Sequence, residues 1–262
     1  MKTYNIKIFG ILNITPDSFS DGGDFLGYKK SQEHAKKLLK KGADFIDVGG
    51  ESTNPWSTDI SCDAEWNRVK KILDYLLDIN KKIISLDTKN YSTAKKFLEK
   101  GGQILNDVSG FQDPKMINLA VKFQPQVIVN HFPGKTTAEV HTKKINNLEQ
   151  VKNSLLKTKI KLIQAGLSHE KIILDPGIGF GKTNELNWKL LEFAKFLPEE
   201  KIMIGFSKKR FLGEKRFILE PNLEAAKIAI KSGAKFLRLH EDMILKNFLT
   251  NKDTINRVST NK

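Results

Sequence analysis

Eight short runs of β-branched and aliphatic residues recur along this 262-residue chain, each followed by a longer segment of helical period. The runs occupy residues 7–13, 44–48, 83–87, 104–108, 126–130, 171–175, 202–206 and 236–240. Helical segments are expected near 31–41, 63–78, 93–100, 114–123, 146–165, 185–196 and 223–232, with a tail helix after Asp242. Gly42, Gly101, Gly166 and Gly233 each stand between a helical segment and the next run, where helix C-termini favour glycine. Strands alternating with helices at this spacing make a parallel sheet. No Pro/Gly/Ser linker or low-complexity insert interrupts the repeat, so residues 1–262 read as one domain. A (β/α)8 TIM barrel, an α/β fold, fits the count; an open doubly wound sheet remains the alternative, because periodicity does not prove closure.

Bulk properties narrow the class. No apolar run approaches the roughly 18 residues needed to span a bilayer. The N-terminus lacks a signal-peptide layout, its apolar stretch running into Asn13 and Pro16 without a small-residue cleavage site. Cys62, the single cysteine, excludes an internal disulfide framework and a cysteine-cluster zinc site. A cytoplasmic protein without a membrane partner is the expectation. The net charge of +14 raises nucleic acid as a partner. The excess lysines (Lys29, Lys30, Lys36, Lys37, Lys40, Lys41, Lys70, Lys71) instead spread over helix faces, and no basic stripe is interleaved with aromatics. They read as solvated faces, and nucleic acid is not expected.

The C-terminal strand ends, where β/α proteins place their sites, are all polar. They present Asn13, Asp47, Asp87-Thr88, Asn106-Asp107, Asn130-His131, Asp175, Ser207-Lys208-Lys209-Arg210, and Arg238 with His240. The opposite ends show mainly lysine (Lys7, Lys82, Lys171, Lys201, Lys235), as a solvated rim does. Any one of these polar residues could be an ordinary strand-end cap. Carboxylates, amides and cations gathered at all eight ends are costly to bury unless they pair or meet a ligand. Asp87, Asn106 and Asp175 suit a ring with donors and acceptors on one edge, such as the guanidine-like edge of a pterin. Lys209, Arg238 and His240 supply positive charge from the last two strands, where barrels often hold phosphate. Asn13 joins them if strand one neighbours strand eight, and an oxygen ligand beside a phosphate site is a natural Mg²⁺ position. GIGFGKT (177–183) imitates a phosphate-binding P-loop, but has three residues rather than four between its outer glycines, and it lacks the G-x-G-x-x-G spacing of a dinucleotide site.

GILNITPDSFSDGG, DVGGEST, SLDT, LNDVSG, DPGIGFGKT, GFSKKRFLG and LRLH resemble, in order, the motifs of the dihydropteroate synthase family, from Gly10 to His240. The resemblance implies a TIM barrel, homodimeric and a sulfonamide target, acting as a transferase in folate biosynthesis. The implied reaction joins 6-hydroxymethyl-7,8-dihydropterin pyrophosphate to p-aminobenzoate, giving 7,8-dihydropteroate and pyrophosphate. It further implies a largely dissociative path, in which the C–O bond breaks before the arylamine attacks. Carried onto matching positions, Asp87, Asn106, Asp175 and Lys209 hold the pterin. Asn13, Arg238 and His240 hold pyrophosphate, with Asn13 the ligand of a Mg²⁺ cofactor. Thr53, Pro55, Phe180, Lys209 and Arg210 border p-aminobenzoate. Asp87, Lys209, Arg238 and His240 carry the catalysis by prearranged charge. Residues 15–23 read as a lid hinged at Gly22-Gly23.

The chain departs from the family pattern in places. The usual S-T-R-P-G is Ser52-Thr53-Asn54-Pro55-Trp56, S-R-K-S is Ser207-Lys208-Lys209-Arg210, and Met-His-Met is Asn130-His131-Phe132. The segment between Gly213 and Leu223 is also short. Arg210 is the residue expected to replace a serine at the p-aminobenzoate carboxylate. The rival readings are a non-catalytic or altered-specificity pterin-binding paralogue and a pterin-dependent methyltransferase domain. The methyltransferase has no use for Lys209 together with Arg238 and His240.

Overall fold

A computed structural model describes residues 4–14, 23–51, 60–244 and 246–251. Thr53, Asn54, Pro55 and Trp56, and all of the expected lid except Gly23, lie outside the described residues.

All eight strands form: β1 Lys7–Asn13, β2 Phe45–Gly49, β3 Ile84–Asp87, β4 Ile104–Asp107, β5 Gln126–Asn130, β6 Ile172–Asp175, β7 Met203–Ile204 and β8 Phe236–Leu239. They pair in parallel in the order β6-β5-β4-β3-β2-β1-β8-β7. The two ends of that order meet through a parallel bridge between Leu174 and Ile202, with the Leu174 amide donating to Lys201 O at 2.9 Å. The sheet therefore closes into a barrel, and the open-sheet alternative is excluded.

The helices are α1 Gly23–Lys40, α2 Cys62–Asn80, α3 Tyr91–Glu99, α4 Pro114–Phe123, α5 Thr137–Thr142, α6 Leu148–Gln164, α7 Asn184–Leu190, α8 Leu219–Lys231 and α9 Lys246–Thr250. Their ends follow local chemistry. Ser61 caps α2 by accepting the Ala64 amide, and Asp113 caps α4 with Pro114 in its first turn. The four expected helix-ending glycines all take the left-handed conformation, with φ from 88° to 109°. Sequence periodicity missed α5, a single short helix packed after β5. It also placed the start of α1 too late: Gly23 is the first helical residue, not part of a loop hinge. Helix α8 begins at Leu219 and tolerates Pro221 because that proline lies in its first turn. This early start takes up the shortened segment after Gly213. The tail helix expected after Asp242 is α9; the Tyr4 amide donates to Thr250 O at 2.8 Å, and Lys246 reaches Asp44 at 2.6 Å.

Strand residues alternate between two environments, as the period of two requires. Ile8, Leu12, Ile46, Val48, Ile84, Leu86, Val127, Val129 and Leu174 face outward into the core shared with the helices. The inward residues near the strand starts (Phe9, Ile104, Ile128, Ile173 and Met203, with Phe45 and Phe236) form a separate apolar plug. Phe9 stacks on Phe45 at 4.4 Å and meets Phe236 edge-on at 5.8 Å. One pleat higher, the inward positions turn polar: Asp47, Ser85, Asn106, Asp175 and Arg238. The barrel is a solid base under a polar mouth.

Candidate active site

The mouth opens into a cleft of about 610 Å³ whose walls include Ile11, Asn13, Glu51, Asp87, Phe180, Gly205, Lys209, Arg210, Arg238 and His240. Closure makes β1 the neighbour of β8, so Asn13 does stand beside Arg238 and His240. Asn106 and Asp175 sit behind the cleft wall, 3% and 4% exposed. Glycine at 205 keeps that wall thin. A Cβ there would stand 3.4 Å from Asp175 Oδ2 and 3.6 Å from Arg238 Cβ.

Arg238 crosses the mouth. Its Nε donates to Asp47 Oδ2 and its Nη2 to Asp87 Oδ2, each at 2.6 Å. Asp47 Oδ2 also accepts Asn106 Nδ2 at 3.0 Å, and Asn106 Oδ1 accepts Asn130 Nδ2 at 2.8 Å. Those bonds fix which way the Asn106 amide faces. Burial pushes Asp87 up to about 7, against the pull of Arg238 and with help from the carboxylates of Asp47, Glu65 and Asp107. Asp175 is likewise raised by burial, opposed by Lys209 and by the Gly177 amide, which donates to its Oδ1 at 2.7 Å.

On the other side, Lys209 Nζ donates to Ile178 O at 2.5 Å and lies 5.0 Å from the centre of the Phe180 ring. Burial lowers Lys209 to about 8, offset in part by Asp175. His240 differs from its expected role as a cation. Burial, then Lys208 and Arg238, hold it down to about 4, so in this site it is neutral. Its Nδ1 is 2.9 Å from Ser207 Oγ, which also accepts the His240 amide at 3.2 Å. In the tautomer whose Nδ1 accepts the Ser207 hydroxyl, the ring proton stands on Nε2, and His240 is a hydrogen-bond donor rather than a charge.

Lys182, from the P-loop-like GIGFGKT, points inward. It is 9% exposed and donates to Gly177 O at 2.7 Å, Phe180 O at 3.0 Å and His131 O at 3.3 Å. Burial drives its pKa well below that of a free lysine. The loop is a lysine-stapled wall that presents Phe180. Arg210 is exposed, begins the short turn Arg210–Leu212 and lines the cleft beyond Phe180.

The sequence pattern of a family described as pterin binding enzyme matches residues 9–240. The chain is 36% identical over 250 residues to the type-3 dihydropteroate synthase of Escherichia coli, covering 90% of this chain and 94% of that one. It belongs to the dihydropteroate synthase family. It is also 35% identical over 246 residues to a probable bifunctional folylpolyglutamate synthase/dihydropteroate synthase of Haloferax volcanii, covering 89% of this chain but 29% of that longer protein. Among solved structures it resembles the dihydropteroate synthase of Clostridium difficile crystallised with pteroic acid. That match has a TM-score of 0.82 and 32% identity, over 94% of this chain and 95% of that one.

Within this dihydropteroate synthase fold, the expected residues Asn13, Asp87, Phe180, Lys209, Arg210, Arg238 and His240 share one cleft, with Asn106 and Asp175 directly behind it. Asp47, Asn130, Lys182 and Ser207 were assigned no role by sequence reasoning. Asp47, Asn130 and Ser207 already stood among the polar strand ends, and their partners became visible only in three dimensions. Lys182 was hidden inside the misleading P-loop likeness.

Proposed function

We propose that this chain is a dihydropteroate synthase, joining 6-hydroxymethyl-7,8-dihydropterin pyrophosphate to p-aminobenzoate. The observation that carries this is one cleft that gathers the carboxylate of Asp87, with Asn106 and Asp175 behind its wall, the donors of Asn13, Arg238 and His240, and Lys209 with Phe180. The pterin takes Asp87, Asn106 and Asp175, and its diphosphate takes Asn13, Arg238 and His240. The bond from the pterin methylene to the bridging oxygen breaks, its electron pair leaving with the diphosphate. Asp87 stands where positive charge then develops on the pterin, while Arg238 and the Nε2–H of His240 meet the departing anion. The p-aminobenzoate nitrogen enters across Phe180, forms the C–N bond and releases its proton to solvent. No protein nucleophile is needed.

Mg²⁺ fits as a shared ion. Among the described residues no group of three or more His, Cys, Asp or Glu comes together to cage a metal. Mg²⁺, however, needs only one or two protein oxygens when substrate phosphates and water complete its shell. Asn13 offers such an oxygen at the cleft wall. Bound there, the ion would neutralise charge on the diphosphate.

The test is release of pyrophosphate with Mg²⁺ from the pterin diphosphate. Release that requires p-aminobenzoate supports the synthase. Pterin binding without release would instead favour a non-catalytic paralogue. Since Lys209 titrates near 8, it is charged below that pH and neutral above it, so kcat/KM should fall as pH rises through about 8. In Lys209→Arg, whose guanidinium stays charged, that falling limb should move to higher pH; an unmoved limb would show that another group titrates. Arg210, exposed on the wall of the same cleft, is the residue we assign to the p-aminobenzoate carboxylate, a reading supported by its charge and its place in the cleft. Arg210→Ser should raise the p-aminobenzoate KM about tenfold, the worth of one charge-assisted hydrogen bond. An unchanged KM would remove Arg210 from the site. The reading includes a homodimer, for which Ile160 and Ile163, exposed one turn apart on α6, offer apolar surface. A sedimentation mass of one 29.7 kDa chain would contradict it.

A further inference from the structure

The guanidinium of Arg238 is divided between two carboxylates. Nε and Nη2 form the side-on fork with which arginine can clasp one carboxylate through two parallel bonds. Here Nε goes to Asp47 Oδ2 and Nη2 to Asp87 Oδ2. The two acceptors are not equivalent. Asp87 lines the cleft, whereas Asp47 is fully buried beneath it. Among the described residues Asp47 Oδ1 has no hydrogen-bond partner. A buried carboxylate oxygen without a donor is costly and calls for an explanation. The fork is thus spread over two acids while half of the inner acid stands unused.

We infer that Asp47 is the positioning residue of Arg238: when a pterin takes Asp87, the fork closes on Asp47 alone. Nη2 passes from Asp87 Oδ2 to Asp47 Oδ1 while Nε keeps its bond. The inference rests on the reading of Asp87 as a pterin ligand proposed above. In the empty site the guanidinium occupies Asp87 in the way the donor edge of a pterin would. Without a second place to go, the displaced cation would leave the mouth just when the diphosphate arrives. Asp47 supplies that place one pleat down, so pterin binding and placement of the anion-holding cation become one event. Asp47 is itself held. Its Oδ2 accepts Asn106 Nδ2, and Asn106 is fixed by Asn130, whose Nδ2 also reaches Asp107 O at 3.3 Å. The carboxylate cannot turn to follow the arginine without breaking this chain of amides.

Asp47→Asn keeps the shape but offers one acceptor oxygen and a repelling NH₂, so the fork cannot close. The probe is 6-hydroxymethylpterin, whose own fluorescence reports binding. The variant is expected to bind it at least tenfold more weakly than the wild type. The KM of the pterin diphosphate should rise with it and that of p-aminobenzoate should stay unchanged, a split that general loosening of the barrel would not give. In the wild type, a crystal structure with 6-hydroxymethylpterin should show both fork nitrogens on Asp47. Equal affinity in Asp47→Asn, or Nη2 still on Asp87 in the complex, overturns the inference. Should Asp47→Asn fail to fold, the wild-type complex decides alone. If the wild type binds no pterin, the functional reading falls and the inference with it; if it binds pterin and the fork does not move, only the inference falls.

Discussion

Arg238→Met is expected to lower kcat about a thousandfold, the upper range for removing one preorganised electrostatic group from a dry site. The same change should destabilise the fold by about 3–5 kcal/mol, because it leaves the partners of a buried ion pair without their cation. Both effects follow from the two 2.6 Å bonds to Asp47 and Asp87. Their pH dependence separates them from a simple packing defect. Asp87 already sits up at about 7 through burial, and without the pull of Arg238 it rises further. A carboxyl whose folded pKa lies above its unfolded value of roughly 4 contributes stability that is full at acid pH and lost as pH rises through the folded value. The deficit of Arg238→Met should therefore be smaller at pH 5 than at pH 8, the loss at Asp47 remaining at both. Urea midpoints of the two proteins at each pH measure it, and equal deficits would mean that the Asp87 charge is not involved.

Lys182→Met should cost about 3 kcal/mol and raise the p-aminobenzoate KM about tenfold, while pterin binding changes less. Methionine fills nearly the same volume but donates nothing. Three carbonyls (Gly177, Phe180 and His131) then lose the donor that joins them; Gly177 O keeps the Phe180 amide at 3.1 Å, and a buried acceptor left unpaired costs about 1–3 kcal/mol. The loop cannot easily adjust. A Cβ at Gly177, whose φ is 64°, would come within 2.3 Å of His131 O, so the backbone there already runs at contact distance. What loosens is the wall that carries Phe180 and the Ile178 carbonyl holding Lys209. Thermal unfolding together with separate KM values for the two substrates checks this. A variant as stable as the wild type would show that the three bonds are replaceable.

The barrel was legible because strand–helix alternation and polar strand ends are local properties that recur eight times, and four helices end in a glycine. Closure was not, since it rests on one bridge, Leu174 to Ile202, between aliphatic residues that look like any other outward-facing strand residue. The shortness of β7 was equally hidden, because Ile202, Gly205 and Phe206 look as strand-like as Met203 and Ile204. In the site, residue types at strand ends pointed to one shared cleft, and Asp87, Lys209, Arg238 and His240 do meet in one. Protonation was beyond reach of the sequence. His240 counts as a cation on paper, but burial beside Lys208 and Arg238 makes it a neutral donor. Asp47 and Asn130 looked like ordinary caps until their hydrogen bonds tied them to Arg238 and Asn106. The glycine-rich stretch at 177–183 imitates a P-loop for a physical reason: its glycines take positive φ to bend a wall, and its lysine is spent on the loop's own carbonyls, holding that bend.

The most direct measurement places ¹⁸O in the bridging oxygen of 6-hydroxymethyl-7,8-dihydropterin pyrophosphate and follows it by mass spectrometry during turnover with p-aminobenzoate. A site that stabilises a departing diphosphate on the Asn13, Arg238 and His240 side cleaves the carbon–oxygen bond. All of the label should then appear in pyrophosphate, with unlabelled 7,8-dihydropteroate formed in equal amount. Label retained in 6-hydroxymethyl-7,8-dihydropterin would mean that the phosphorus–oxygen bond is cut, and that the cleft serves hydrolysis rather than synthesis.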